Sequence, residues 1–220
     1  MKTAPLGLLL AAVLVPALAS AQVSLGLRTG YALPAGDAYD QSGLGGTFAQ
    51  KDLARGMVPL QAEATWRLSP TLSAGVYLAY GVGQTGAKLI DLCSSPAASC
   101  DGPTETRYGL LAAYGLGPRG PVEPWLGLSA GIASTSFKVD NLAYGVIEGT
   151  LRGWDAQVEG GADFPVSAAL RVGPLLSLGI GQYRVQRITQ EGQGTVAGGG
   201  VTTPRTHEWI TLGVRGRFDL

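Results

Sequence analysis

Leu72-Ser73-Ala74-Gly75-Val76-Tyr77-Leu78-Ala79-Tyr80-Gly81-Val82-Gly83 reads with a period of two. Leu72, Ala74, Val76, Leu78, Tyr80 and Val82 share one face, and Ser73, Gly75, Tyr77 and Gly81 share the other. Successive side chains of a strand point to opposite faces, so this is a strand pattern, and it does not also fit a helical period. Seven further segments repeat it, near Val23–Leu33, Met57–Leu68, Thr106–Leu116, Trp125–Ser134, Trp154–Phe164, Leu170–Tyr183 and Ile210–Leu220. Their apolar faces are Leu, Val and Ala, and their polar faces are Gly, Ser, Thr, Gln and a few Arg and Glu.

The links between these segments alternate in length. Ser69-Pro70-Thr71, Gly117-Pro118-Arg119-Gly120-Pro121 and Pro165-Val166-Ser167 are short and carry turn chemistry. The links over roughly 34–55, 84–105, 135–152 and 184–206 are long. An antiparallel barrel with short turns at one rim and long loops at the other produces this rhythm. An even number of strands places both ends of the barrel at the short-turn rim. Pro174 falls mid-strand, where a bulge or bend is expected because proline cannot donate to the ladder. Trp125, Trp209 and Tyr183 sit on the polar-face parity, so they either point inward near the rims or mark register breaks.

The segment before the first strand is read separately. Met1-Lys2 gives a positive start, Leu6 to Leu18 an apolar run interrupted by Pro16, and Ala19-Ser20-Ala21 a small-x-small cleavage pattern. The run is too short for a permanent membrane helix. Residues 1–21 are therefore expected to be a cleaved signal peptide, with the mature barrel domain spanning 22–220 and cleavage near Ala21-Gln22.

Composition decides which side of the barrel is wet. Gly 34 is roughly twice the usual share, and charged residues at 15% are well below it. Beyond the signal segment, Lys51, Lys88 and Lys138 all lie in the long links, and none lies in the eight segments. A soluble ligand-binding barrel would alternate equally well but would set lysines on its outer face. The apolar face here is a lipid-facing band, with Trp66, Tyr80, Tyr108, Trp154 and Phe218 near strand ends, where interfacial aromatics belong. A net charge of +0 gives no reason to expect nucleic acid as a partner. Cys93 and Cys100 are spaced for a small disulfide loop in an oxidising compartment; with His207 the only histidine, a metal site is not expected, nor is any cofactor.

The pattern over the whole mature chain resembles the small eight-stranded outer-membrane barrels of the OmpA/OmpX type, within the porin-like barrel family. Its most specific part is the ending Phe218-Asp219-Leu220. The resemblance implies an all-β, eight-stranded up-and-down transmembrane barrel in the outer membrane of a Gram-negative bacterium. It would have four long extracellular loops and three short periplasmic turns, and work as a monomer among outer-membrane lipid and lipopolysaccharide. Phe218 and Leu220 would present the C-terminal signal to the barrel assembly machinery.

Inside so narrow a barrel side chains fill the lumen. Counted from the short-turn rim, Arg28, Glu63, Glu159 and Arg215 fall at similar heights on the inward face. Unpaired charges there are costly, so a salt-bridged plug is the economical reading, and a narrow passive pore is its rival. Asp163 and Arg171 flank a short turn and are expected to pair nearer the rim. Catalysis has one candidate, His207-Glu208 as a base and its orienter at the top of the last segment, but no nucleophile stands out. The chain is therefore expected not to be an enzyme, with a lipid or peptide hydrolase as the weaker alternative. Specific recognition, if present, belongs to the long links, which carry Asp37, Asp40, Asp52, Asp91, Asp101, Asp140, Tyr39, Phe48 and Tyr144.

Overall fold

A computed structural model describes residues 22–41, 46–93, 98–117, 120–141, 145–201 and 203–220. The signal segment, Pro118-Arg119 and Tyr144 lie outside the described residues. The elements in chain order are β1 (Val23–Gln41), β2 (Gly46–Ala49), α1 (Gln50–Leu53), β3 (Ala54–Arg67), β4 (Leu72–Thr85), α2 (Ala87–Leu92) and β5 (Ala98–Gly115). They continue as β6 (Glu123–Asn141), β7 (Gly145–Pro165), β8 (Leu170–Gln190), β9 (Gly194–Gly200), β10 (Thr203–Pro204) and β11 (Thr206–Asp219).

Eight of these strands close a ring in the order β1, β11, β8, β7, β6, β5, β4, β3 and back to β1, every neighbour antiparallel. The short strands β2 and β10 pair with β1, and β9 with β8, beyond the ring. Following cross-strand partners around the ring from Leu33 leads through Ile210, Leu178, Val158, Leu128, Ala112, Ala74 and Trp66 to Val23. The path comes back ten residues lower on β1, which is the barrel's shear. With a rise of ~3.3 Å per residue, that shear tilts the strands by about 40° and gives a radius of about 8 Å.

The alternation resolves into two faces. Leu110 and Leu212 are 69% and 68% exposed on the outside, whereas Arg215 is 2% exposed on the inside. A soluble barrel would reverse these values. Carrying the register around the ring places the outward Tyr31, Tyr80, Tyr108 and Trp154 on one level and Trp66, Tyr114, Phe164 and Phe218 on another, roughly 20 Å apart. These are the two aromatic girdles of a membrane barrel.

Two short turns use the same chemistry. Ser69 and Ser167 hydroxyls accept hydrogen bonds from the backbone N–H of Leu72 and Leu170, each at 3.0 Å. The long links differ from the sequence expectation because much of their length is strand. β6 and β7 stay paired from Glu123↔Asp163 to Asn141↔Gly145, and β8 continues past the aromatic level to Gln190. Lys138 accordingly stands on β6, not in a loop. Beyond the lipid band the outer face of the sheet meets water instead of lipid, so the ladder continues while the apolar-out, polar-in alternation that marks these strands in sequence is lost.

Pro174 produces no bulge. It pairs with Val214 in an unbroken ladder to β11, and on the other side the β7 ladder omits Gly173 and Pro174 and resumes in the same register at Phe164↔Val172. The missing donor is absorbed in that gap. Trp125, Trp209 and Tyr183 all point inward and are buried. The bulge on β8 comes instead at Arg184, between the pairs Gly153↔Tyr183 and Arg152↔Val185. Cys93 and Cys100 form a disulfide with their Cα atoms 5.9 Å apart, tying the residue after α2 to β5.

Candidate functional site

The lumen is filled by charged and polar side chains in three layers, each drawn from several strands. Arg28 on β1 and Arg215 on β11 are direct cross-strand partners, an unfavourable placement for like charges taken alone. Glu63, from β3, lies between them: one carboxylate oxygen bonds Arg28, and Oε1 is 2.9 Å from Arg215 Nη2. Arg28 also bonds Glu159 of β7 across the barrel. All four side chains are buried, and their heights agree within roughly 4 Å. Gly26 makes this possible, since a Cβ there would overlap Glu63. The Trp125 ring completes the layer, 4.4 Å from the Arg215 guanidinium carbon and 5.8 Å from that of Arg28. Gly161 leaves room for that ring, with Trp125 Cζ2 3.0 Å from where a Cβ would stand.

The layer at the short-turn rim sets three arginines against three acids, and Asp163 links it to the middle layer, 4.0 Å from Arg215. Arg171 reaches Glu123 at 3.0 Å and Asp219 at 2.8 Å. Arg217 reaches Glu123 at 3.2 Å, Asp163 at 3.3 Å and Asp219 at 3.2 Å. Arg67 is 3.8 Å from Asp219. The expected pair of Asp163 with Arg171 is not among these contacts. Asp163 points toward Arg217 and accepts from Trp125 Nε1 at 3.2 Å, while Arg171 turns to Glu123 and Asp219. β6 and β11, which also end at this rim, supply nearer partners than the two ends of one turn do.

The third layer lies toward the long-link side. Arg107 Nε is 3.1 Å from Glu105, and its Nη1 is 3.7 Å from Asp155. Tyr77 Oη donates to Asp155 at 3.3 Å, Gln157 Nε2 donates to Asp155 at 2.9 Å, and Ser177 donates to Gln157 at 3.1 Å. Above them Thr135 donates to Glu105 at 3.0 Å, its hydroxyl lies 3.0 Å from that of Tyr183, and Gln50 Nε2 donates to Tyr183 at 3.1 Å.

That last bond joins the lumen to a cap. α1 brings Gln50 and Leu53 into the mouth, where Leu53 packs with Ala38, Leu151, Tyr183 and Val201. Lys88 of α2 clamps the cap from outside, 3.1 Å from Asp52 and 4.5 Å from the Phe48 ring centroid. Phe48 stacks on Tyr39 at 5.4 Å, and burial pushes the Tyr39 phenol above its usual value. Between the middle and upper layers a void of about 30 Å³ touches Arg28, Gln61, Arg107, Gln157 and Ser177, and a second of about 10 Å³ lies by Glu105 and His207. Each has room for about one water.

No family model matches the chain, and no curated protein sequence matches it significantly. Solved structures do. The crystal structure of Neisserial surface protein A (NspA) is similar over 90% of this chain and 97% of that one, with 14% identity and a TM-score of 0.55. A major outer membrane protein from Thermus thermophilus is similar over 90% of this chain and 100% of that one, with 17% identity and a TM-score of 0.54. The fold is that of the outer-membrane β-barrels. At such identities the likeness carries architecture alone, so the chemistry rests on this barrel's own side chains.

On that footing His207-Glu208 is not a catalytic pair. The barrel strand's alternation sends His207 inward, 2% exposed and stacked on Tyr183 at 4.3 Å, and Glu208 outward. A carboxylate on the opposite face cannot orient the imidazole. Among the described residues no group of His, Cys, Asp and Glu is placed to hold a metal ion. Several lumen residues were not singled out by sequence. Arg107, Asp155 and Tyr77 shared the polar-face parity, and the same height count used for Arg28 would have found them. Glu105 and Glu123 fell in stretches read as links and carried no strand signal.

Proposed function

We propose that this chain is an exported, integral outer-membrane barrel of the bacterial surface, with a structural or surface-interaction role and no enzymatic activity. Residues 1–21 are the leader removed on export, Phe218 and Leu220 form the signal read by the barrel assembly machinery, and the long-link side faces the cell exterior as a monomer in lipopolysaccharide-bearing membrane. One observation supports the reading: ion pairs cross the lumen on three levels, with a hollow of about 70 Å³ reaching from the short-turn rim to Arg215 and smaller voids above it that hold about one water each. A pathway for ions needs a continuous wet bore, and the charges lining this one are engaged in ion pairs with one another.

Planar-bilayer recording of the refolded chain tests this. The plug predicts a silent barrel with heat-modifiable migration in detergent. Discrete ion-selective openings that disappear in Glu63→Ala or Arg215→Ala would make the protein a narrow pore. Lipid or peptide turnover lost in His207→Ala would make it an enzyme. A chain soluble without detergent after removal of residues 1–21 would sink the membrane reading.

A further inference from the structure

The outer face is not uniform around the barrel. On β7 and β8, just above the upper aromatic level, three exposed arginines gather outside the lipid band. Arg152 stands two residues above Trp154, Arg184 is the extra residue of the β8 bulge, and Arg187 pairs opposite Thr150. Arg184 follows the outward parity of Ile180, and the extra residue shifts the parity beyond it, so that Arg187, which unbroken alternation would send inward with Tyr183, also stands on the outer face. None of the three forms a salt bridge among the described residues. At the corresponding level elsewhere no such cluster forms: the outward residues include Glu208 on β11, Gln84 on β4 and a single arginine, Arg55, at the β3 bulge.

Directly beneath the arginines the lipid-facing surface is furrowed. Ala130 pairs with Ala156 and Ala74 with Ala112, so small side chains run obliquely across β4 to β7, where neighbouring positions carry Leu, Val and Ile. The furrow holds about 820 Å³, and Leu110 and Ile180 form parts of its walls. A second hollow of about 320 Å³ continues it toward the lower aromatic level beside Tyr114. Above the furrow, Arg152 reaches over β6 and donates to Tyr108 Oη at 2.9 Å.

We infer that this surface is a lipid site: the Arg152, Arg184 and Arg187 guanidiniums take the phosphate of a phosphorylated glycolipid of the outer leaflet, and one of its acyl chains lies in the alanine furrow. Guanidinium forks match phosphate oxygens, and they sit where headgroups meet the apolar band. The tail lies below the head along one line, as an acyl lipid requires. The inference rests on the proposed orientation, in which the long-link side is the outer leaflet.

Native mass spectrometry of the folded mature chain in detergent micelles tests it, with lipid A, phosphatase-treated lipid A and phosphatidylglycerol as probes. Wild type should retain lipid A roughly tenfold better than its dephosphorylated form, and Arg152→Gln/Arg184→Gln/Arg187→Gln should lose that preference. Ala130→Leu/Ala156→Leu, which fills the furrow, should weaken both forms of lipid A by several-fold. Equal retention by wild type and the triple arginine variant would overturn the site. So would phosphatidylglycerol held as tightly as lipid A and lost equally in the triple variant, since the patch would then serve any anionic headgroup. Protease cleavage in the β8–β9 turn on intact cells reads the orientation separately, so a failure of that reading appears there and not in the micelle assay.

Discussion

The barrel between its aromatic girdles and the cap above them are made from the same strands but held by opposite means. Between the girdles the outer face is apolar and exposed to lipid, and the inner face is a buried column of ion pairs. Above them the order partly inverts: the interior holds a small apolar cluster around Leu53 and Tyr183, and the outer face carries Arg152, Arg184 and Lys138. The solvent outside sets the difference. Lipid leaves the lumen as the only place for charge, whereas water above the membrane allows an ordinary core inside.

Four substitutions break or sharpen this contrast. The largest effect belongs to Glu63→Ala, which leaves Arg28 and Arg215 facing each other without the carboxylate between them. A loss of about 3–5 kcal/mol is expected, read from urea unfolding in lipid vesicles, with Glu63→Gln costing less. Next is Leu212→Arg, on the outer face between the girdles and 68% exposed to lipid. It should cost about 2–4 kcal/mol by the same measurement, while Glu208→Arg, on the same strand above the girdle and opposite Ile180 and Ala35, should be nearly neutral; equal costs would remove the membrane boundary drawn here.

In the cap, Tyr183→Phe removes the hydroxyl shared by Gln50 and Thr135 and leaves the buried Gln50 amide without that acceptor. About 1–3 kcal/mol is expected, appearing first as faster amide exchange in Gln50–Leu53 while the lumen strands stay protected. The smallest effect on the barrel should come from Cys93→Ser/Cys100→Ser. That disulfide closes a local segment beyond the girdles, so proteolysis near α2 should quicken with no change in the unfolding midpoint. A large midpoint shift would mean that cap and barrel unfold as one unit.

How much of the lumen is legible in the sequence has a physical cause. Arg28, Glu63, Glu159 and Arg215 lie inside segments with strict alternation, so counting residues from the turns gives both face and height. Spacing alone sets Asp163 and Arg171 on the inward face on either side of one turn, whereas in the structure Asp163 meets Arg217 and Arg171 meets Glu123 and Asp219. Partner choice among Glu123, Arg217 and Asp219 depends on how the strand ends converge around the ring, and spacing within one hairpin does not contain that. Glu105 and Lys138 were read as loop because the sheet continues where lipid no longer enforces alternation.

By itself the sequence determined the strand segments, their two faces and the rim at which the turns lie, because a residue's face follows from parity and its medium from polarity. Three things waited for the tertiary structure: the shear of ten, the ion-pair partners in the lumen, and the gathering of Arg152, Arg184 and Arg187 above an alanine furrow. Each depends on register between strands far apart in sequence. Register is fixed only when the last strand closes on the first.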